Sequence, residues 1–370
     1  MAGISMTDRQ RAAWLRLSRC TGVGPATFRD LINHFGTAER ALEELPDMAA
    51  RAGRKRVRIP SADEIEREVE ALHRFGGRLI CSGEPHYPSA MLAYDGAPMV
   101  LSVVGDPDVL TRPMIGIVGS RNASAAGARL TRLFAQAFGE AGYVVVSGMA
   151  RGIDSAAHEA SISTGTVAAF AGGVNVVFPP ENDDLAKRLV DAGGAVVSEV
   201  PFGHKPRAKD FPRRNRIIAS ASLGTLVVEA ALRSGSLITA RLANEMGRTV
   251  FAVPGSPLDP RSEGTNKLIR DGATFTTEPD DVLRDLAPMT TAPAPVRTPF
   301  MEREDDASPA ASPDESDRAR VISALDHTPV HVDEIVRFTR LPLSGVQLVL
   351  LELDLAGRIE RHAGNRVSLT

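Results

Sequence analysis

The sequence predicts an α/β protein. A parallel sheet with both faces covered by helices follows a helical segment and precedes a small helix-and-hairpin unit. Three observations carry this. Short apolar runs nearly bare of charge ("MIGIVG", "YVVVSG", "TVAAFAGG", "AVVSEV", "TLVVEA", "TVFAVPG") alternate with helical stretches, as strands buried on both faces do. Upstream, apolar residues recur only at helical spacing. Downstream, three helical stretches and two short strands follow an acidic, proline-rich segment.

Each segment has its own signals. In residues 1–78, Trp14, Leu15 and Leu17, then Phe28, Leu31, Ile32 and Phe35, mark two helices. They are joined by "TGVGPATF", whose glycines allow a tight turn and whose Pro25 suits a first helical turn. "SADEIEREVEALHRFGG" opens with a capping box, Ser61 with Glu64, and stops at a glycine pair. Residues 79–286 hold the strand–helix alternation, with glycines and serines at the strand ends, where open α/β sheets bind ligands. Residues 287–317 carry six prolines between 287 and 317 and the acidic runs "EREDD" and "SPDESD", the composition of an extended linker. In residues 318–370, the apolar spacing of Val346, Leu348, Val349 and Leu351 to Leu355 predicts a buried third helix, and "GRIERHAGNRVSL" two strands about a Gly-Asn turn. Three helices and a hairpin make the winged-helix pattern. The third helix, apolar and acidic, suits protein contact or regulation better than groove reading.

The totals narrow the function. A chain of 370 residues with 43% hydrophobic content exceeds one typical core. A formal net charge of -3 excludes a globally basic nucleic-acid coat, so any polyanion site must be local. Cys20 and Cys81 form neither a metal spacing nor a disulfide framework, and no metal or cofactor is expected. The first residues lack a signal-peptide core, and no run approaches ~18 apolar residues, so a soluble, cytoplasmic protein is expected.

Four strand-end turns can hold anions. "GIVGSRNASAAG" sets Gly119, Ser120 and Arg121 at a helix N-terminus, with N–H groups, a hydroxyl and a guanidinium; its other interpretation is a tight turn with an exposed arginine. It is neither a dinucleotide fingerprint nor a P-loop. "SGMARGIDSAAHEAS" offers Ser147 and Gly148, with Asp154 as a helix cap and His158 four residues on. A nucleophile elbow is missing there. Gly172-Gly173 form a third turn, and Ser234, Gly235 and Ser236 a fourth. Ahead of one apolar helix, residues 203–216 hold six basic residues, Lys205, Arg207, Lys209, Arg213, Arg214 and Arg216, and one acid, Asp210. Arginine makes bidentate phosphate contacts. The competing interpretation pairs these arginines with acids such as Glu199 and Glu229.

Taken together, "GIVGSR", "SGMARGID", "SEVPFG…FPRRNRIIAS", "LVVEAALRSGSLITARLA" and "GRTVFAVPG…EGTNKLIRDGA" closely resemble the DprA (Smf) family of bacterial DNA-processing proteins over roughly residues 85–273. The resemblance implies a Rossmann-like core, an N-terminal SAM-like or helix-hairpin-helix domain, and a C-terminal winged-helix-like domain. It implies non-enzymatic binding of single-stranded DNA, loading of the RecA recombinase in natural transformation, and homodimerisation through the core. The family's "GSR" matches Ser120 and Arg121, and its "FPxRNR" matches Phe211, Pro212, Arg214, Asn215 and Arg216, with Arg213 at the variable place. Lys205, Arg207 and Lys209 fall in a stretch that is basic in the family. The segment matching its dimer face points to Leu268, Ile269 and Phe275. Few aromatics, 5% of the chain, imply little base stacking and hence little sequence preference, with Phe202 and Phe211 the nearest candidates. The alternative is a Rossmann-like nucleotide-phosphate hydrolase with Glu199 or Glu229 as acid or base, although Ser222-Leu223 before Gly224-Thr225 breaks that group's glycine signature.

Overall fold

The computed structural model describes residues 4–51, 57–291, 302, 313–362 and 364–370. Most of the linker expected at 287–317 lies outside them. The chain divides into two units, one from Met1–Ser5 and Arg67–Pro299, the other from Met6–Glu66 and Phe300–Thr370.

The second unit combines an N-terminal and a C-terminal part. Its N-terminal part holds α1 (Asp8–Ser18), α2 (Pro25–Phe35) and α3 (Ala38–Arg51), and α4 (Ala62–Arg74) starts there. Pro25 opens α2, and the Ser61–Glu64 capping box forms in both directions, at 3.1 and 2.9 Å.

In the larger unit, β1 (Gly77–Cys81) and β2 (Val100–Gly105) precede β3 (Met114–Val118). The alternation then runs α5 (Ala125–Glu140), β4 (Val144–Ser147), α6 (Ile153–Ser161), β5 (Thr166–Ala169), α7 (Asp183–Asp191), β6 (Ala195–Ser198) and α8 (Asp210–Ala221). It ends with β7 (Gly224–Val227), α9 (Ser236–Glu245), β8 (Thr249–Ala252), α10 (Glu263–Arg270), the short β9 (Thr274–Phe275) and α11 (Pro279–Thr291). The nine strands form one sheet in the order β1-β2-β6-β5-β4-β3-β7-β8-β9. From β3 to β9 the pairing is parallel, but β1 and β2 add antiparallel at one edge, so the sheet is mixed rather than wholly parallel. Both faces are buried, with strand period two. Ile115 and Ile117 join Phe134 and Phe138 of α5, while Met114 and Val118 join Ile217 and Ile218 of α8. The winding reverses between β3 and β7, so their carboxyl ends are the switch point at which such sheets take ligands.

In the C-terminal part, α12 (Glu315–Ser323), β10 (Val330–His331), α13 (Val332–Thr339), α14 (Leu343–Leu355), β11 (Ile359–His362) and β12 (Arg366–Leu369) form a winged helix. Gly364 and Asn365, both at positive φ, make the turn of its hairpin. Val346, Val349, Leu350 and Leu353 of α14 face its own core. Leu348, Leu351, Glu352 and Leu355 are also buried, outside that core, on a helix that packs against α2 and α3. A helix covered on two sides has no polar face, which is why α14 reads as apolar nearly all round.

Candidate nucleic-acid interface

The turns after β3 and β4 are built against each other. Ile153 N–H donates to Ser120 O at 3.1 Å, and a Cβ on Gly152 (φ 78°) would fall 2.3 Å from that same oxygen. Only glycine permits this approach. Ser120 Oγ accepts from Asn122 N–H at 3.1 Å, and Ser124 caps α5 by accepting from Gly127 N–H at 2.8 Å. Glu229, after β7, accepts from Ser124 N–H at 3.0 Å and from its hydroxyl at 2.5 Å, tying the two strand ends at the switch point. Arg121 projects from this braced turn into solvent.

Several groups expected to face an anion turn inward instead. Ser147 is buried and donates to Ile117 O at 2.6 Å. Gly148 N–H donates to Asp154 Oδ2 at 3.2 Å, as does Ala150 N–H at 3.3 Å, so Asp154 ties down the preceding turn rather than capping α6. Gly172 and Gly173 serve close packing: Gly173 N–H donates to His204 O at 2.9 Å, and a Cβ on Gly173 would lie 2.6 Å from Pro201 O. These glycines seat the basic loop; the Gly173 amide is engaged in the fold.

Helix α8 sorts its arginines by burial. Arg214 is 5% exposed and donates to Gly148 O and to Ala169 O, the latter at 3.1 Å. Burial draws its pKa down to about 10, which leaves it charged at neutral pH; Asp154 opposes that shift and Arg121 adds to it. Burial pushes the Asp154 carboxyl up against the opposing charge of Arg214 and the N–H groups of Ala150 and Gly148. His158, alongside on α6, is fully buried, and burial reinforced by Arg214 lowers its pKa to about 3, so it is neutral. Its Nδ1 pairs with Thr166 Oγ1 at 2.8 Å. Arg213 and Arg216 both meet Glu199, at 2.6 Å each. Asn215 Nδ2 donates to Gly235 O at 3.2 Å, joining α8 to the turn before α9, where the hydroxyls of Ser234 and Ser236 pair at 2.7 Å. Gly235 itself is exposed.

The cations without a carboxylate lie nearby. Lys205, Arg207 and Lys209 are exposed on the lead-in to α8, and with Arg121 they make no ion pair among the described residues. Asp210 beneath them accepts from Arg207 N–H at 2.8 Å and pairs with His204 at 2.8 Å. Against a burial that raises it, these bonds hold the Asp210 carboxyl below its ordinary value, helped by the charges of His204 and Lys209. Arg121 stacks over the Phe211 ring at 5.2 Å, and Phe178, 45% exposed, meets that ring edge-on at 5.5 Å. Sequence reasoning named Phe211 and missed Phe178. The repeated Phe-Pro, at 178–179 and 211–212, is the signal that could have found it. Phe202, the other stacking candidate, packs on Phe75 at 5.6 Å. A braced turn, exposed cations without an ion pair among the described residues, and the exposed Phe178 against the half-buried Phe211 suit a flexible polyanion bearing unstacked bases.

The chain matches the family model described as DNA recombination-mediator protein A over residues 78–287, a DprA-like N-terminal HHH domain over 8–71 and a DprA winged helix domain over 305–365. It belongs to the DprA/Smf family. Protein Smf of Escherichia coli is 38% identical over 82% of this chain and 81% of its own length. The X-ray structure of DprA from Streptococcus pneumoniae superposes with a TM-score of 0.59 at 30% identity, covering 76% of this chain and 99% of that one. A structure of DprA from Helicobacter pylori, titled for its single-stranded DNA binding mode, gives 0.52 at 26% identity, covering 58% and 96%.

Of the residues expected at a dimer face, Phe275 is 57% exposed on the edge strand β9, whereas Leu268 and Ile269 are half-buried and Leu268 packs on the core. Leu268 also lines a cleft of about 440 Å³ with Arg241, Arg248 and Lys267. Among the described residues no His, Cys, Asp or Glu cluster could hold a metal, and no helix is long and apolar enough to cross a membrane.

Proposed function

We propose that this chain binds single-stranded DNA along the carboxyl edge of its sheet without strong sequence preference, performs no catalysis there, and helps load RecA in natural transformation. The observation that carries this is the row formed by Arg121, Lys205, Arg207 and Lys209, exposed and without an ion pair among the described residues, beside Phe178 and Phe211. Phosphates are bound alike whatever the base, and the exposed ring of Phe178 accepts any base. The H. pylori relative, titled for single-stranded DNA binding, supports the same ligand class. The engagement of Glu229 with Ser124 and of Glu199 with two arginines leaves neither acid poised for hydrolysis. Within this proposal the protein acts in the cytoplasm as a homodimer, with Phe275 and the open edge of β9 as the contact.

The test is anisotropy of labelled poly-deoxythymidine across a salt series, with a duplex control. Four phosphate contacts to a single strand predict a log–log slope near −2.8, so affinity falls roughly 50-fold between 50 and 200 mM salt. A flat salt response, or equal affinity for duplex, overturns the proposal. RecA loading is read separately, as faster filament assembly on strands pre-coated with a single-strand-binding protein.

A further inference from the structure

The row of free cations stops where a buried carboxylate begins. Glu199 directly follows β6, is 5% exposed, and contacts Arg213 Nε and Arg216 Nη2 at 2.6 Å each. Arg216 is largely enclosed, its side chain 18% exposed, but that of Arg213 is 46% exposed. Lys209 and Arg213 lie four residues apart and share a face at the start of α8, and both are exposed. Arg213 therefore flanks the row sterically while Glu199 holds its charge. A carboxylate with so little solvent holds a guanidinium far more firmly than a surface acid does.

We infer that Glu199 is a positioning residue that sets the size of the DNA footprint: by holding Arg213 and Arg216 it withdraws them from the strand and leaves contact to Arg121, Lys205, Arg207 and Lys209. This deepens the single-strand proposal and rests on it. Two consequences follow, of opposite sign to a merely structural role. With Glu199 present, Arg213 contributes nothing to binding. With its charge removed, Arg213 joins the row and binding strengthens.

The experiment is a double-mutant cycle read in salt dependence. Arg213→Ala alone is expected to leave both affinity and slope unchanged. Glu199→Gln keeps the shape and an acceptor oxygen, and is expected to steepen the slope by about 0.7 and to raise affinity about eightfold at 50 mM salt. Arg213→Ala placed on Glu199→Gln is expected to cancel that gain. The inference is overturned if Arg213→Ala alone flattens the slope as much as Arg121→Ala, or if Glu199→Gln weakens binding at every salt concentration with the slope unchanged. The Arg213→Ala arm alters only a half-exposed side chain, so it decides the matter even where Glu199→Gln fails to fold. A parent protein that binds no single strand refutes the proposed function itself. A parent that binds through Arg121 with a deviating cycle refutes only the role of Glu199.

Discussion

Two clusters in this chain use the same side chains to opposite ends. On α14, Glu352 is 4% exposed and takes Arg318 in two hydrogen bonds of 2.8 Å each, with Arg51 of α3 at 3.7 Å. Asp354 accepts from Thr27 of α2 at 2.8 Å and from Arg361 at 3.1 Å, and Arg361 also reaches Asp30 of α2 at 2.6 Å. Each of these guanidiniums meets a carboxylate, so the cluster fastens the winged helix to α2 and α3. At the sheet edge cations outnumber acids: Arg214 is buried against backbone carbonyls, whereas Arg121, Lys205, Arg207 and Lys209 are exposed. Balanced charge around a buried acid makes a fastener; imbalance in solvent leaves charge for the ligand proposed above.

Breaking the fastener should have the largest effect. Glu352→Ala leaves Arg318 and Arg51 without this acid and is expected to cost about 3 kcal/mol in denaturant unfolding of the terminal unit, with poly-deoxythymidine affinity unchanged. A loss of DNA binding at full occupancy of the folded state would erase the contrast.

The next effect belongs to the sheet unit alone. His158 is neutral when folded, with a pKa of about 3 against 6.5 for an ordinary histidine. The unfolded chain therefore binds the extra proton first as pH falls. The stabilising contribution of His158 is full above pH 6.5 and drains away toward pH 3, at about 1.4 kcal/mol per pH unit. Unfolding followed from pH 7.5 to pH 5 should show this limb, and His158→Leu should flatten it. An unchanged limb in that variant rejects the assignment.

Arg121→Ala should have the smallest effect on stability, within about 0.5 kcal/mol, because its side chain is in solvent. Its mark falls on binding: a flatter salt slope by about 0.7 and a uniform loss of affinity across sequences, on the order of 1 kcal/mol. Loss confined to particular sequences would place Arg121 on bases rather than on phosphate.

Much of the architecture was legible from periodicity. Charge-free runs such as 114–119 and 143–148 mark strands buried on both faces, and the spacing of Val346, Leu348, Val349 and Leu351 to Leu355 marks a buried helix, though not which of its residues face the winged-helix core. The antiparallel β1 and β2 were not legible, since Arg78 and Ser102 interrupt their apolar runs and a five- or six-residue strand looks the same in either direction. The candidate site was legible as a concentration of basic residues and glycine turns, but the use of each group was not. Ser147 and Gly148 have the same composition whether they face a phosphate or the fold; Ile117 O and Asp154 decide it.

By itself the sequence determined the repertoire: an alternating core, a winged helix, and six basic residues ahead of one helix. Local periodicity and chain-neighbour turns suffice for that, because they act over a few residues. Only the tertiary structure decided which cations stay free. Glu199 lies 17 residues from Arg216 along the chain, and Gly148, whose carbonyl accepts from Arg214, lies 66 residues away. Charge pairing falls off with distance in space and strengthens with burial, and both quantities exist only once the strands are laid side by side.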